Sequence, residues 1–454
     1  EDENYSEFLD QFRIRQLVKK YSDYIRYPIR MLRPTRRVKE GSDPEKPEYE
    51  YVDEMTTVNS MVPLWQRPRG EVTDEEYEKF YQSIAHAFDK PQRVITASVE
   101  GAVTYKALLF IPSQRPMDFY SEGYEKGLQL YSAGVMIMDH CDALLPDYLR
   151  FVRGVVDSPD LSLNISREIL QHNRQLKVIG QNLEKKIKAE LEKMMRDDRP
   201  KYETFWKNFG IHIKCGVCDE YGRFTDFLKD LLIFYTSEDS MRSLKEYVDA
   251  MPESQKAIYY ASADTVKHAM ALPQCEEVRS RGYEILYLDH PIDETVLQQL
   301  RMYEGKGFVN ILTEDLGFQT DEEKKAAEEK VVENKELLDF IRDSIGDEKL
   351  KQVTLSSKLV SSACCLTSTG GFTLEMEKYF RNGPSEEMRK LRADRVLELN
   401  GKHAACLAIK KAYDDGDKDK AAALSKILYA QSELIAGVEI EDPTAYADLV
   451  CSLF

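Results

Sequence analysis

The sequence lacks the short motifs that mark most self-contained enzymes. It contains no G-x-x-x-x-G-K-[ST] loop, no G-x-G-x-x-G, no H-E-x-x-H and no G-x-S-x-G. Its 7 histidines are scattered and form no ligand pair at helical spacing. We therefore expect that this chain alone is not an enzyme and that it holds no metal.

Long apolar runs and an excess of positive charge are also missing. No stretch of about 18 or more apolar residues occurs, which argues against a membrane-spanning helix. The 63 Lys and Arg residues stand against 80 Asp and Glu residues, and the net charge of −17 argues against a nucleic-acid-binding protein. At 42% hydrophobic over 454 residues, the chain can bury several cores, and its length predicts about three domains.

Cysteine is sparse, with 8 residues spread thinly over the chain. This pattern is typical of a reducing compartment and predicts a cytoplasmic protein without a disulfide framework. Cys215-Gly-Val-Cys218 is a lone C-x-x-C, and a structural zinc site would need a second pair. The chain begins with Glu1 and not with Met, so we expect it to be a piece of a longer protein.

The first part of the chain predicts a helix, a linker and then a mixed domain. Apolar residues recur at helical spacing over 8–21, whereas 34–60 is polar, rich in proline and almost without periodicity. A capping box at Thr73-Asp-Glu-Glu76 predicts a helix over 74–87. Two β-rich runs around Glu100-Gly101 predict a hairpin.

The second half predicts a long helix, a small parallel sheet and a helical end. An apolar stripe repeats every four residues over 179–195. Buried strands are expected at 257–261 and 284–288, with a helix between them. The charge run over 318–337 predicts a solvated helix or a connector.

Two short amphipathic helices are expected at the chain end, capped by Asp417 and by Asp442-Pro443. Such helices bury little against each other. They either dock on the preceding unit or pair with a second copy as a four-helix bundle, and the pattern alone leaves both arrangements open. Their apolar stripes consist of Leu424, Ile427, Leu428, Leu434 and Ile435, and of Tyr446, Leu449, Val450 and Leu453.

Arg167 breaks a local rule. The segment 160–171 leads into a helix, and Asn164 or Ser166 can cap it. A cation in the first turn opposes the helix dipole, which favours anions there. Either Arg167 pairs with a nearby carboxylate such as Glu168, or it contacts an anion such as a phosphate group.

These residues carry a resemblance to a known family. Ser166-Arg167-Glu168-Ile169-Leu170-Gln171 resembles the catalytic loop of the ninety-kilodalton heat-shock chaperones. Further segments are similar to the same family and follow in the same order: Tyr148-Leu-Arg-Phe-Val-Arg-Gly154, Ile258-Tyr-Tyr260 and Asp289-His-Pro-Ile-Asp-Glu294. The short tract over 34–60 resembles the bacterial type of the family.

The resemblance implies an α+β, multidomain fold. It places a remnant of the ATP-binding domain plus a linker in 1–60 and a large middle subdomain with the catalytic loop in 61–178. A helical connector and a small α/β subdomain follow in 179–316, and a largely helical client-binding and dimerisation domain in 317–454. ATP and Mg²⁺ are implied for the full-length protein only, because this chain lacks the family's ATP-site motifs.

The resemblance also assigns roles to residues. It implies that Arg167 reaches the γ-phosphate of ATP, that Gln171 helps to hold the closed arrangement and that Asn164 shapes the loop. The expected partners are a second copy of the chain, partly folded client proteins and the protein's own ATP-binding domain, but no nucleic acid and no membrane. The implied client contacts are Trp65, Glu294, Thr295, Gln298, Phe372, Met376, Tyr379 and Phe380. For Trp65, a role in the core or at the edge of the middle domain stays open beside client contact.

Two alternatives remain open from the sequence. Phe372, Met376, Tyr379 and Phe380 share one helical face, which either contacts clients or packs on its own domain. The whole chain is either the client-binding part of an ATP-driven chaperone or a scaffold protein without any nucleotide cycle.

Overall fold

The fold is mixed α+β and falls into two compact units, Glu1–Ile213 and Lys214–Phe454. We describe each unit by itself. A computed structural model describes residues 3–39, 42, 47–161, 174–370, 372–381, 385–440 and 442–452. In these ranges no helix is long and apolar enough to cross a membrane.

The first unit opens with a helix and a hairpin. Helix α1, Gln11–Tyr21, is capped by Asp10, whose carboxylate accepts the Phe12 N–H. Strands β1 (Arg30–Val38) and β2 (Tyr49–Thr57) then pair antiparallel. This hairpin corrects the prediction of a linker over 34–60. Its side chains are mostly exposed, and only β1 alternates, between exposed and half-buried residues over 30–35. The sequence shows no matching alternation of apolar and polar residues, so its pattern did not indicate these strands.

A five-stranded sheet forms the core of the first unit, in the order β3-β4-β7-β5-β6. The predicted hairpin is confirmed as β3 and β4, and the capping box starts α2 at Asp74. The apolar run over 128–138, whose composition alone predicts one strand, forms two strands. They are split at Gly134, whose φ is positive and where a Cβ atom would collide with the Tyr24 carbonyl. The bounds are α2 Asp74–Ala85, β3 Pro91–Val99, β4 Tyr105–Pro112, β5 Leu128–Ser132, β6 Val135–Cys141 and β7 Arg153–Asp157.

Two long helices follow, α3 (Arg174–Asp197) and α4 (Arg199–Cys218). The predicted stripe of α3 is confirmed: its buried residues recur at three- and four-residue spacing. The stripe ends at Met194 where the sequence suggested Met195. The buried residues of α3 are Leu176, Ile179, Leu183, Ile187, Leu191 and Met194.

The second unit begins with a six-stranded sheet, in the order β12-β13-β10-β11-β8-β9. The predicted parallel pairing is confirmed for β10 with β11 and β13, while the outer strands are antiparallel. We call residues 225–310 the α/β subdomain. Its elements are α5 Thr225–Leu228, β8 Ile233–Ser237, β9 Ser240–Ser243, α6 Leu244–Ala250, β10 Ile258–Ser262, α7 Val266–Ala271, α8 Glu276–Ser280, β11 Ile285–Leu288, α9 Ile292–Leu300, β12 Met302–Tyr303 and β13 Lys306–Asn310.

Residues 321–452 form what we call the terminal subdomain. The charge run is helix α10, which has no buried residue and is therefore the solvated helix expected. A three-stranded sheet, in the order β14-β16-β15, was not predicted. The elements are α10 Asp321–Glu333, α11 Lys335–Ile345, β14 Leu350–Leu355, β15 Cys364–Thr369, α12 Leu374–Arg381, α13 Glu386–Arg389, β16 Asp394–Leu399, α14 Ala404–Asp414, α15 Lys418–Ile435 and α16 Pro443–Cys451.

A buried cation lies in the core of the terminal subdomain. Arg395 on β16 is only 2% exposed. Its guanidinium lies 2.6 Å from a Glu433 oxygen, 3.4 Å from Asp347 and 3.5 Å from Glu377. It also donates to the Tyr429 hydroxyl at 3.1 Å. Three carboxylates thus surround one cation that joins β16, α12, α15 and the turn after α11.

Candidate functional site

The predicted catalytic-loop residues lie outside the described residues. Asn164, Arg167 and Gln171 fall in the gap between residues 161 and 174. The structure therefore does not test their predicted roles.

Trp65 lies in the core of the first unit and is 6% exposed. Its indole N–H donates to an Asp157 carboxylate oxygen at 3.0 Å, and its ring packs edge-on against Tyr24 at 4.7 Å. Burial and a satisfied N–H together indicate a packing role. A direct client contact by Trp65 would require this core to open.

The three predicted client residues of α9 divide between its two faces. Thr295 and Gln298 are exposed. Glu294 is buried and accepts a short hydrogen bond from the Ser262 hydroxyl and a longer one, 3.5 Å, from the Asn310 amide. Burial raises the pKa of the Glu294 carboxyl. Glu294 therefore has a structural role, and Thr295 and Gln298 are the predicted client residues of α9 that face the solvent.

The predicted apolar element is helix α12 with the residue before it. The Phe372 and Phe380 rings stack with centroids 6.0 Å apart and planes 22° apart. Phe372 also packs against the core of the terminal subdomain, and Met376 and Phe380 are half-buried. The side chain of Tyr379 lies outside the described part. This face is thus partly packed on its own subdomain and partly open.

Helices α9 and α12 both contribute residues to a small cavity whose lining surface is mostly apolar. Glu294 and Asn310 line it from the α/β subdomain, and Thr373 and Glu375 line it from the start of α12. Its volume of about 30 Å³ has room for roughly one or two water molecules. The fold therefore brings together two stretches that lie about eighty residues apart in the sequence and that the resemblance assigned to client contact.

Apart from Glu294, the residues that line this cavity were not predicted as site residues. Gln274 is 3% exposed, and its side-chain N–H donates to the Leu366 carbonyl at 3.0 Å. Burial raises the pKa of Glu375, although Lys378, one turn further along α12, pairs with it at 2.6 Å. No sequence pattern marks Gln274, because it approaches Leu366 only when the two subdomains pack.

The predicted dimer residues are partly used within the chain. Ile427 and Leu428 are buried, and Leu424 packs against the core of the terminal subdomain. Leu434 and Ile435 remain 53% and 38% exposed. The predicted caps are confirmed, since Asp417 accepts the Lys420 N–H and Asp442 the Ala445 N–H.

The last helix, α16, has no buried residue among those described. Its Tyr446, Leu449 and Val450 are half-buried, and Leu453 lies outside the described residues. A helix with an apolar stripe and no buried side chain leaves surface for a further partner.

Cys215 is exposed and Cys218 is half-buried. Within the ranges that the structure describes, no group of three or more His, Cys, Asp and Glu side chains could hold a metal ion. Burial raises the pKa of Cys218, which disfavours its thiolate form.

Comparison with known proteins decides the family. The family model described as Hsp90 protein matches residues 38–454. The chain belongs to the Hsp90 family. Similar proteins, each named chaperone protein HtpG, come from Bacillus subtilis (strain 168), with 47% identity, and from Alkaliphilus oremlandii (strain OhILAs), with 45%. Each match covers all 454 residues of this chain and 71% of the relative.

Membership of the Hsp90 family supports a role as a chaperone in protein folding. It fits the mixed α+β fold and the predicted order of segments along the chain.

Proposed function

We propose that this chain is the client-binding and dimerising part of an Hsp90-family chaperone. The observation that carries the proposal is the half-open apolar face of α12, and α9 adds exposed polar residues on the same unit. Phe372, Met376 and Phe380 offer adaptable apolar contacts, and Thr295 and Gln298 offer polar ones. Partly folded proteins expose both kinds of group, so such a surface can hold many sequences.

We further propose that the full-length protein hydrolyses ATP and that this chain contributes Arg167 to the reaction. The cavity between α9 and α12, at about 30 Å³, is far smaller than the roughly 300 Å³ or more of a ligand pocket, so it does not fit a nucleotide. We therefore propose that ATP binds elsewhere in the full-length protein and not in this cavity. A cytoplasmic location is supported by the sparse, scattered cysteines of the sequence, a pattern typical of a reducing compartment.

The client surface is tested by replacing Met376 and Phe380 with serine together. The double variant should need at least about 3-fold more protein to suppress aggregation of a heat-unfolded substrate, because apolar anchors dominate such contacts. Light scattering measures this. Replacing the exposed Met302 and Val332 with serine provides the control, which should behave as the original chain. Equal suppression by both variants would assign the α12 face to internal packing.

The dimer is tested at Leu434, which is 53% exposed and can change without loss of the chain's own core. We expect Leu434→Asp to weaken self-association at least about 100-fold, because a dimer would desolvate the new carboxylate. Sedimentation velocity over a range of concentrations measures this. Leu407→Asp on α14, at 51% exposure, is the matched control. A Leu434→Asp chain that still associates like the Leu407→Asp chain would contradict the interface.

A further inference from the structure

One carboxylate joins the α/β subdomain to the terminal subdomain through five hydrogen bonds. Glu276, at the start of α8, accepts the N–H groups of Val360 at 2.8 Å, Ser361 at 2.8 Å and Ser362 at 3.3 Å. It also accepts the hydroxyls of Ser361 at 2.8 Å and Ser362 at 2.6 Å. The three donor residues are consecutive and lie in the loop between β14 and β15.

Consecutive backbone N–H groups that converge on one point form an anion-binding concavity. Each hydrogen bond to an ionised carboxylate is stronger than a neutral one. Burial alone would raise the pKa of Glu276, but the serine hydroxyls and the N–H groups lower it to about 2. Glu276 is therefore anionic across the physiological range, and this contact does not weaken with moderate changes in pH.

Two further side chains bind backbone near Glu276, one across the same boundary and one on the segment 311–320 that connects the two subdomains. Lys358, in the same loop, donates to the carbonyls of Ile311 at 3.1 Å and Glu314 at 2.8 Å. Gln274, two residues before Glu276, donates to the Leu366 carbonyl on β15 at 3.0 Å. Lys358 and Gln274 both bind backbone carbonyl groups with their side chains. Each of these contacts therefore fixes the path of the backbone that it binds.

We propose that Glu276 is a latch that holds the loop 356–362 against α8, so that the α/β and terminal subdomains move as one body. Residues on both sides line the cavity between α9 and α12, namely Gln274 and Glu294 on one side and Leu366 and Thr367 on the other. The latch thereby sets the alignment of the two helices. The proposed latch does not depend on client binding by α9 or α12, because it concerns only the connection between the α/β and terminal subdomains.

Hydrogen–deuterium exchange of the full 454-residue chain tests the latch. In Glu276→Ala, amides of 356–363 should exchange about 10- to 100-fold faster, because three of them lose a charged acceptor. Glu277→Ala is the matched control, since Glu277 is also half-buried on α8 but pairs with Arg281 of the same segment at 3.2 Å. Glu277→Ala should leave the exchange rates of the amides of 356–363 unchanged. Amides of β10 should exchange alike in all three chains, which shows that the α/β subdomain remains folded.

The double variant Ser361→Ala and Ser362→Ala provides an independent arm if Glu276→Ala does not fold. It removes two of the five hydrogen bonds and keeps the carboxylate and the N–H groups. We expect a smaller acceleration, about 3- to 10-fold, confined to 356–363 and 273–279. From pH 5 to pH 9, protection corrected for the intrinsic exchange rate should stay constant in the original chain. Unchanged exchange of 356–363 in both folded variants would overturn the latch.

Discussion

Replacing Arg395 with methionine should lower the free energy of unfolding of the terminal subdomain by about 3–5 kcal/mol. Arg395 is 2% exposed, and its guanidinium lies among Glu433, Asp347 and Glu377. Methionine fills similar space but removes the cation that pairs with Glu433, whereas Glu377 keeps its contacts with Arg381 and Arg392. The Coulomb attraction is lost, while the desolvation cost of the carboxylates remains.

The protonation of Glu433 gives this prediction a pH dependence. Burial already raises the pKa of Glu433 while Arg395 opposes that effect. Without Arg395 the pKa rises further above its value in the unfolded chain. A proton taken up on acidification then removes the unpaired charge. The loss in free energy of unfolding caused by Arg395→Met should therefore be largest at neutral pH and should shrink toward pH 5.

Amide exchange in β14, β15 and β16 measures the free energy of opening of this subdomain. The matched control is Arg342→Met on α11, whose partners Asp339 and Asp343 are on the surface and whose loss should cost at most about 1 kcal/mol. The only two tryptophans, Trp65 and Trp206, are in the first unit, so their fluorescence should report an unchanged transition. If Arg395→Met lowers the free energy of opening of the terminal subdomain no more than Arg342→Met does, the account is contradicted.

Replacing Arg167 with alanine in the full-length protein should slow ATP hydrolysis at least about 100-fold and change the affinity for ATP less than about 3-fold. An arginine that contacts the γ-phosphate stabilises charge that develops in the transition state, and such residues contribute factors of about 10³ or more. The loss should therefore appear in kcat. A steady-state phosphate-release assay measures it, with ATP affinity determined separately by calorimetry.

Arg174→Ala is the control for this experiment, because Arg174 is exposed and opens α3 only seven residues further along the chain. It should hydrolyse ATP at the original rate. The 454-residue chain alone gives the baseline and should show no hydrolysis. If Arg167→Ala turns over like Arg174→Ala, Arg167 has no part in catalysis, and the pairing with a carboxylate such as Glu168 becomes the better explanation.

Local signals in the sequence predicted several elements well. The capping box at Thr73 begins α2, the apolar stripe defines α3, and Asp442-Pro443 begins α16. Each of these signals acts within one or two turns of a helix, so neighbouring residues suffice to specify it. The parallel pairing of β10 with β11 was also predicted, because a buried strand, a helix and a second buried strand favour that arrangement.

Other features depend on contacts between distant residues. The β1–β2 hairpin has exposed strands, so its sequence lacks the alternation that predicts a half-buried strand. Arg395 lies within a charged stretch of the kind that is typical of a protein surface. It is buried only because α12 and α15 pack on β16. The same holds for the cavity, because its lining residues come from segments that are far apart in the sequence. Their meeting is a property of the packed subdomains.

The most direct test of the proposed client-binding role is suppression of aggregation by the 454-residue chain itself, without ATP. A heat-unfolded substrate protein is mixed with increasing amounts of the chain, and light scattering is followed over time. The account predicts that scattering falls with increasing chain and that Met376→Ser with Phe380→Ser reduces this effect while Met302→Ser with Val332→Ser does not. Scattering that is unaffected by the original chain at a several-fold excess would contradict the account.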